Sequence, residues 1–245
     1  DTEKPLQSQW WASLFDETLF LYLSGGGRDT VKDSGANGSA TFYNSDFIEA
    51  DGVASAMNTS FAGYATNTFR APSAYRQLFA NNATSIATLD SSDIMALSLI
   101  DRAVARAKTG LSDASGKPIP AIQPITIDGE DHFVCVMSPF QAHDLRTASG
   151  SEWLSIQKSA ATAEGRNSPI FKGGLGMYNN VVLHEHASVI TRNNAGSGAN
   201  LQGARALFLG RQAGVVAFGS PGTGLRFNWQ EEMEDRGNQV VITSN

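Results

Sequence analysis

What most constrains this chain is the order in which its apolar period changes. Apolar residues recur at helical spacing from Pro5 to Leu23, lose any period through a long polar stretch, and return at helical spacing from about Ser92 to Lys108. Strand-like runs then flank Asp128-Gly129, two short helices follow, and the chain ends in short apolar runs. Helices and strands mixed without regular alternation argue an α+β fold rather than a doubly wound sheet. No internal repeat or heptad array is visible.

The first helix sets Trp11, Leu14, Phe15, Thr18, Leu19 and Tyr22 on one side and Asp16 and Glu17 on the other, which predicts a face packed against something large. Pro5 suits its first turn and Ser24-Gly25-Gly26-Gly27 its end. Residues 24–39 read as a surface loop. From Phe42 to Ser85 single aromatics are scattered among Asn, Thr, Ser and Ala, the pattern of a long irregular connection held by anchored rings. In the second helix, Asp90 or Ser91 is the expected N-cap. Ile94, Leu97, Ile100, Val104 and Ala107 share one face, and Asp101, Arg102, Arg106 and Lys108 are placed toward solvent.

Lys117-Pro118-Ile119-Pro120 reads as an extended linker. Ile122 to Ile127 and His132 to Met137 form a hairpin around the turn Asp128-Gly129-Glu130-Asp131. Ser138-Pro139 starts a helix ending near Arg146, and Trp153, Leu154 and Ile156 mark another from Glu152 to Ala160. Gly173 to Gly176 turns the chain into a buried strand, Val181-Val182-Leu183. Thr191 to Gln202 reads as a polar loop and Ala204 to Leu209 as a strand. Gln212 to Phe218 is an apolar helix or strand, and Arg226 to Trp229 and Gln239 to Thr243 are closing strands.

Charge excludes several functions. Only 17% of residues are charged and the net charge is −6, so no broad attraction to phosphate backbones or anionic lipid is expected. Ser, Thr, Asn and Gln therefore supply much of the polar surface, and they are buried against a neighbour more cheaply than Lys or Glu. Cys135 is the only cysteine and sits in an apolar run, so it reads as a small buried hydrophobe in a chain without internal disulfides. No apolar stretch reaches membrane-spanning length, and the start has no signal-peptide pattern. The chain begins at Asp1 without a methionine, which is the expectation for a processed or truncated product.

The most chemically suggestive residues are His184 and His186 around Glu185. Two imidazoles on one face of a strand make half a metal site, but the zinc-protease pattern needs them four apart on a helix. A third ligand would have to come from His132, His143 or a distant acid. His132 beside Asp131 and His143 beside Asp144 are not dyads by spacing, because sequence neighbours point apart. No Gly-x-Ser-x-Gly elbow occurs, and neither the glycines at 173, 174 and 176 nor those at 219, 222 and 224 have the context of a phosphate loop. Asn37, Asn58 and Asn82 fit glycosylation acceptors only by composition. Glu231, Glu232, Glu234 and Asp235 read as a solvated turn. No catalytic, cofactor or metal residue is assigned.

A series of phrases resembles one family. They are Asn82-Ala-Thr-Ser85, Leu97-Ser-Leu-Ile-Asp-Arg-Ala103, Gly129-Glu-Asp-His-Phe133, Pro139-Phe-Gln-Ala-His-Asp-Leu-Arg146, Trp153-Leu-Ser-Ile-Gln-Lys158 and Asn167-Ser-Pro-Ile-Phe171. Gly174-Leu-Gly-Met-Tyr-Asn179, Leu183-His-Glu185, Ala204 to Phe218 and Asn228-Trp-Gln-Glu-Glu232 follow, with Arg236 in place of Tyr before Gly237-Asn-Gln239. In this order, from the Trp10-Trp11 helix nearly to Asn245, they resemble the major capsid proteins of N4-like tailed phages.

The resemblance implies the fold shared by tailed-phage and herpesvirus shells. Residues 1–90 would be the end of a spine helix and ordered loops of the peripheral domain, 91–210 the axial domain, and 211–245 a segment returning to the periphery. The N-terminal arm and extended loop would be absent, and the last strand clipped at Asn245. The implied function is a major capsid protein, not an enzyme, that self-assembles into an icosahedral head enclosing DNA. Its partners would be copies of itself in hexamers and pentamers, with portal, scaffold or decoration proteins and with packaged DNA held near without specific contacts, and no membrane. It would be made in the bacterial cytoplasm and reside in the virion, with no cofactor. The alternatives are a metal-dependent α+β enzyme using His184 and His186, and another virion structural protein such as a tail or decoration protein.

Overall fold

A computed structural model describes residues 3–24, 72–112, 116, 118–150, 152–163, 169–198, 200–217, 229–234 and 239–244. The loop at 25–39, the aromatic-studded stretch up to residue 71, and the glycines at 219, 222 and 224 lie outside the described residues. The chain divides into two compact units, Phe15–Ala213 and a second made of Asp1–Leu14 with Gly214–Asn245.

The larger unit is built on a five-stranded sheet. Its centre is β4 (Glu130–Met137), which pairs in parallel with β6 (Val181–Glu185) on one side. On the other side β3 (Ile125–Ile127) pairs antiparallel with the start of β4, and β9 (Leu207–Leu209) with its end. Beyond β6 lies β5 (Gly176–Tyr178), antiparallel. The β3–β4 turn is tighter than its sequence suggests. Ile127 pairs directly with Glu130, leaving Asp128 and Gly129 as a two-residue loop, both at positive φ. Asn179 and Asn180 make the equivalent loop between Tyr178 and Val181, again with both φ positive, which asparagine tolerates better than most residues.

Alternation along β4 divides the sheet's faces. Phe133, Cys135 and Met137, with Val181 and Leu183 of β6, belong to the main core together with α2 (Leu97–Thr109), α3 (Pro139–Ser149) and α4 (Glu152–Ala163). These helices contribute Leu97, Ile100, Val104, Ala107, Ala142, Leu145, Trp153 and Ile156. Val136 belongs to a second cluster with Leu209, Leu207, Val189, Phe20 and Leu23. Val182 packs with Phe171 in a third.

The cap of α3 is the one its sequence predicts. The Gln141 N–H donates to Ser138 Oγ, the Ser138 N–H donates to Gln141 Oε1, and Pro139 fills the first helical position. Gln141 Nε2 also donates to the Ala204 carbonyl, tying the cap to β8 (Leu201–Ala204).

Elsewhere the structure corrects the sequence. Helix α2 begins at Leu97 rather than near Ser92, because the residues before it close a turn of their own. The Asp90 carboxylate accepts from the Ser92 hydroxyl and N–H, and the Asp93 carboxylate from the Asp90 N–H, so the expected cap faces the wrong way to start a helix. The two bonds from Ser92 hold the Asp90 carboxyl below its ordinary range. The polar loop at 191–202 is instead a hairpin, β7 (Thr191–Ala195) with β8, carrying a register shift between Arg192 and Ala195. The run at 204–209 is split between β8 and β9, and Pro118-Ile119 is a short strand, β2 (Pro118–Ile119), paired with β1 (Leu111–Ser112). The described part of 212–218 is neither helix nor strand, with Val215 and Val216 well exposed.

The smaller unit contains an antiparallel hairpin, β10 (Trp229–Glu234) with β11 (Gln239–Ser244). Glu231, Glu232 and Glu234 therefore lie in a strand, where the sequence suggested a solvated turn. The long helix α1 (Glu3–Ser24) begins in this unit and ends in the larger one.

Candidate functional site

The two histidines that sequence singled out are already engaged. His184, on β6, has Nε2 2.7 Å from the Ile170 carbonyl oxygen, an acceptor that places the proton on that nitrogen. His186 follows the strand, accepts the Ser188 N–H at its Nδ1 and stacks on Phe20 with ring centroids 4.7 Å apart. Among the described residues no group of three or more His, Cys, Asp and Glu is placed to hold a metal ion. Chelation should therefore leave the melting temperature unchanged; a drop on metal removal that zinc alone reverses would reveal a bound ion, since a ligand of the native state stabilises it by linkage.

The remaining titratable candidates are equally quiet. His132 is fully buried against Phe171, with Nε2 3.6 Å from Glu130 Oε2. His143 does approach Asp144, at 3.7 Å, where spacing suggested the two would point apart. Both side chains are exposed, and such a pair in water is weak. The buried Cys135 thiol is pushed up to about 12 by desolvation, which removes the thiolate a nucleophile needs.

One polar constellation was missed by sequence reasoning. Asp101, placed toward solvent by helical spacing, accepts from Tyr178 Oη and Asn179 Nδ2, each at 2.9 Å. Burial, then the hydrogen bond to Asp101, raises the Tyr178 phenol above its ordinary range and keeps it a donor. Asn180 Nδ2 donates to the Asp131 carbonyl on the other side, so the Asn-Asn loop is pinned to both α2 and β4. The Asn179-Asn180 dipeptide before Val181-Val182-Leu183 was the available signal.

The surface holds more information than the interior. Of the described side chains on the apolar face of helix α1, Trp11 is half-buried and the others are more exposed. Phe20 is buried, while Phe15, Leu19 and Tyr22 are 38%, 41% and 42% exposed. Their spacing of four and three residues makes one continuous apolar stripe at the surface of the larger unit. In the smaller unit Leu6 and Trp10 are also exposed, with Trp10 edge-on to Trp11. A contiguous apolar stripe left at the surface marks a protein contact more often than a catalytic site. No described helix is long and apolar enough to cross a membrane.

Comparison with known proteins agrees with a surface built for contact. No curated protein matches the chain. Among solved structures it is similar to the capsid of Ralstonia phage GP4, at 44% identity over 96% of this chain and 58% of that one, with a TM-score of 0.72. It also shares a fold with a chain of the cyanophage Pam1 capsid asymmetric unit, at 16% identity over 98% of this chain and 60% of that one, TM-score 0.51. The chain thus spans about three fifths of the length of the capsid chains it matches. A family profile described as phage capsid protein matches residues 25–244, and on that match, which takes in most of the chain, the protein belongs to the phage capsid protein family.

Proposed function

We propose that the protein is a major capsid protein of an N4-like tailed phage, a structural subunit that associates with copies of itself into hexamers and pentamers of an icosahedral head. The observation that carries this reading is the 44% identity to a phage capsid over nearly the whole chain. The partly exposed apolar residues of α1 support it, since a shell subunit needs apolar surface to offer its neighbours. Within this reading, 91–210 forms the axial domain, which would hold the five-stranded sheet and helices α2 to α4, and 1–90 and 211–245 belong to the periphery. No residue has a catalytic, cofactor or metal role. Portal, scaffold or decoration proteins are further partners, and the low, negative charge keeps packaged DNA near without gluing it to the wall. Synthesis is in the bacterial cytoplasm and residence in the virion.

Electron microscopy of the full-length gene product, expressed with the other head proteins of its phage, should show shells or rings. A product that stays monomeric there at high concentration would overturn the assembly role. Leu19→Glu refines the test. Its side chain is 41% exposed, so the substitution should cost folding stability only about 1 kcal/mol, while the assembled fraction falls at least tenfold. Unimpaired assembly would move the contact away from α1.

A further inference from the structure

We propose that residues 72–83 form a strap that opens independently of the sheet, latched to α2 by Arg102 and Arg106. Sequence placed both arginines toward solvent. Arg102 is exposed and Arg106 half-buried, and each also takes two backbone carbonyls from the strap. Arg106 Nη1 donates to the Tyr75 carbonyl at 2.9 Å and, more weakly, to that of Gln77 at 3.5 Å. Arg102 Nη1 donates to the carbonyls of Asn81 at 2.9 Å and Phe79 at 3.3 Å. Every second carbonyl from 75 to 81 is thus held by two side chains one helical turn apart. The Arg106 guanidinium also lies over the Tyr75 ring, 5.1 Å from its centroid.

Among the described residues little else holds the strap. Its backbone hydrogen bonds among the described residues are local: Arg76 to Ser73, Gln77 to Ala74 and Ala83 to Ala80. It joins no sheet, and Ala80 is its only buried side chain. Two further side-chain bonds secure it, Arg76 to the Pro120 carbonyl and Asn81 to that of Ser92. An open hollow of about 660 Å³ lies between strap and helix, lined by Leu78, Phe79, Asn82, Ile86, Arg102 and Arg106 among others. The closed state also carries a penalty of its own, because the Tyr75 hydroxyl is buried and finds no hydrogen-bond partner among the described residues. A segment held by a few charged donors and little apolar burial belongs to the low-stability end of a fold. The sheet core beneath shares none of these bonds.

Native-state proteolysis of the full chain with chymotrypsin, with cut sites assigned by mass spectrometry, is the test. Cleavage in a transiently open segment reports its open population when closing is fast. After Tyr75 and Phe79 the chain should be cut under native conditions at a rate nearly independent of urea, while cleavage after the core residue Phe133 waits for global unfolding. The pair Arg102→Ala/Arg106→Ala should speed cleavage at the strap at least tenfold and leave the Phe133 rate unchanged. Tyr75→Phe, which removes only the unpartnered hydroxyl, should slow it several-fold. A single urea-dependent rate shared by strap and core would overturn the proposal. So would a double variant that leaves the strap rate unchanged or raises both rates together, or a Tyr75→Phe variant that opens faster.

Discussion

Replacing Gly176 by alanine is expected to destabilise the larger unit by about 3 kcal/mol or more, beyond the usual range of a one-methyl change. Strand β5 begins where the backbone passes flush against α4. A Cβ built on Gly176 falls 2.5 Å from the Ile156 carbonyl oxygen, 2.9 Å from its carbonyl carbon, and into its Cγ2 methyl. The methyl could turn away, but the carbonyl belongs to a helix and cannot. The backbone φ of +155° adds strain for any residue with a side chain. Either the strand leaves the helix or the helix leaves the core. With an m-value in the ordinary urea range, the midpoint should fall by about 1 M or more at unchanged slope; a midpoint within error of the parent would show that the α4 to β5 approach is looser than described.

Trp153→Ala should cost about 3–5 kcal/mol, the range for emptying a buried aromatic site. The ring is 8% exposed, packs in the main core, and lies under the Arg146 guanidinium at 5.5 Å. Helix α4 spans only 12 residues, too short to persist in water without the packing that Trp153 and Ile156 supply. A denaturation midpoint that does not move would mean that the ring serves a contact outside the fold. Because Trp153 and Gly176 both seat the same helix, the double variant should lose less than the two single losses combined.

Legibility in the sequence followed how local each decision was. Ser138-Pro139 and Asp128-Gly129 are settled within four residues, and both appear where the sequence placed them. The α2 face of Leu97, Ile100, Val104 and Ala107 was also legible, because burial on one side imposes the period. Its start was not, since Asp90 can cap a helix or close a turn, and the choice depends on Asp93 and on Asn81 reaching the Ser92 carbonyl. Hairpin β7–β8 has no apolar alternation to betray it; its place beside residues 86–89 is fixed by contacts such as the Gly196 N–H to the Ile86 carbonyl. The partners of the α2 arginines were not legible for a related reason, as helical spacing says which side a guanidinium leaves from but not what lies within its reach. The capsid resemblance was legible through the order of many short phrases, while the face of α1 was read only as packed against something large, because period reports an apolar face without saying whether this chain or another covers it.

The position of β4 at the centre of its sheet has a consequence for synthesis. Its hairpin partner β3 emerges just before it, but Val134 also pairs with Leu209 and Val182. On a ribosome adding about 5–20 residues each second, the end of β4 waits on the order of ten seconds for β9, its hydrogen-bonding groups unmatched. Such an edge is a template for another nascent chain, and polyribosomes hold nascent copies close together. Folding of this subunit is therefore most exposed to error in that interval, and a chaperone that shields the 130–137 segment until residue 209 has emerged would raise yield more than one acting on the finished chain.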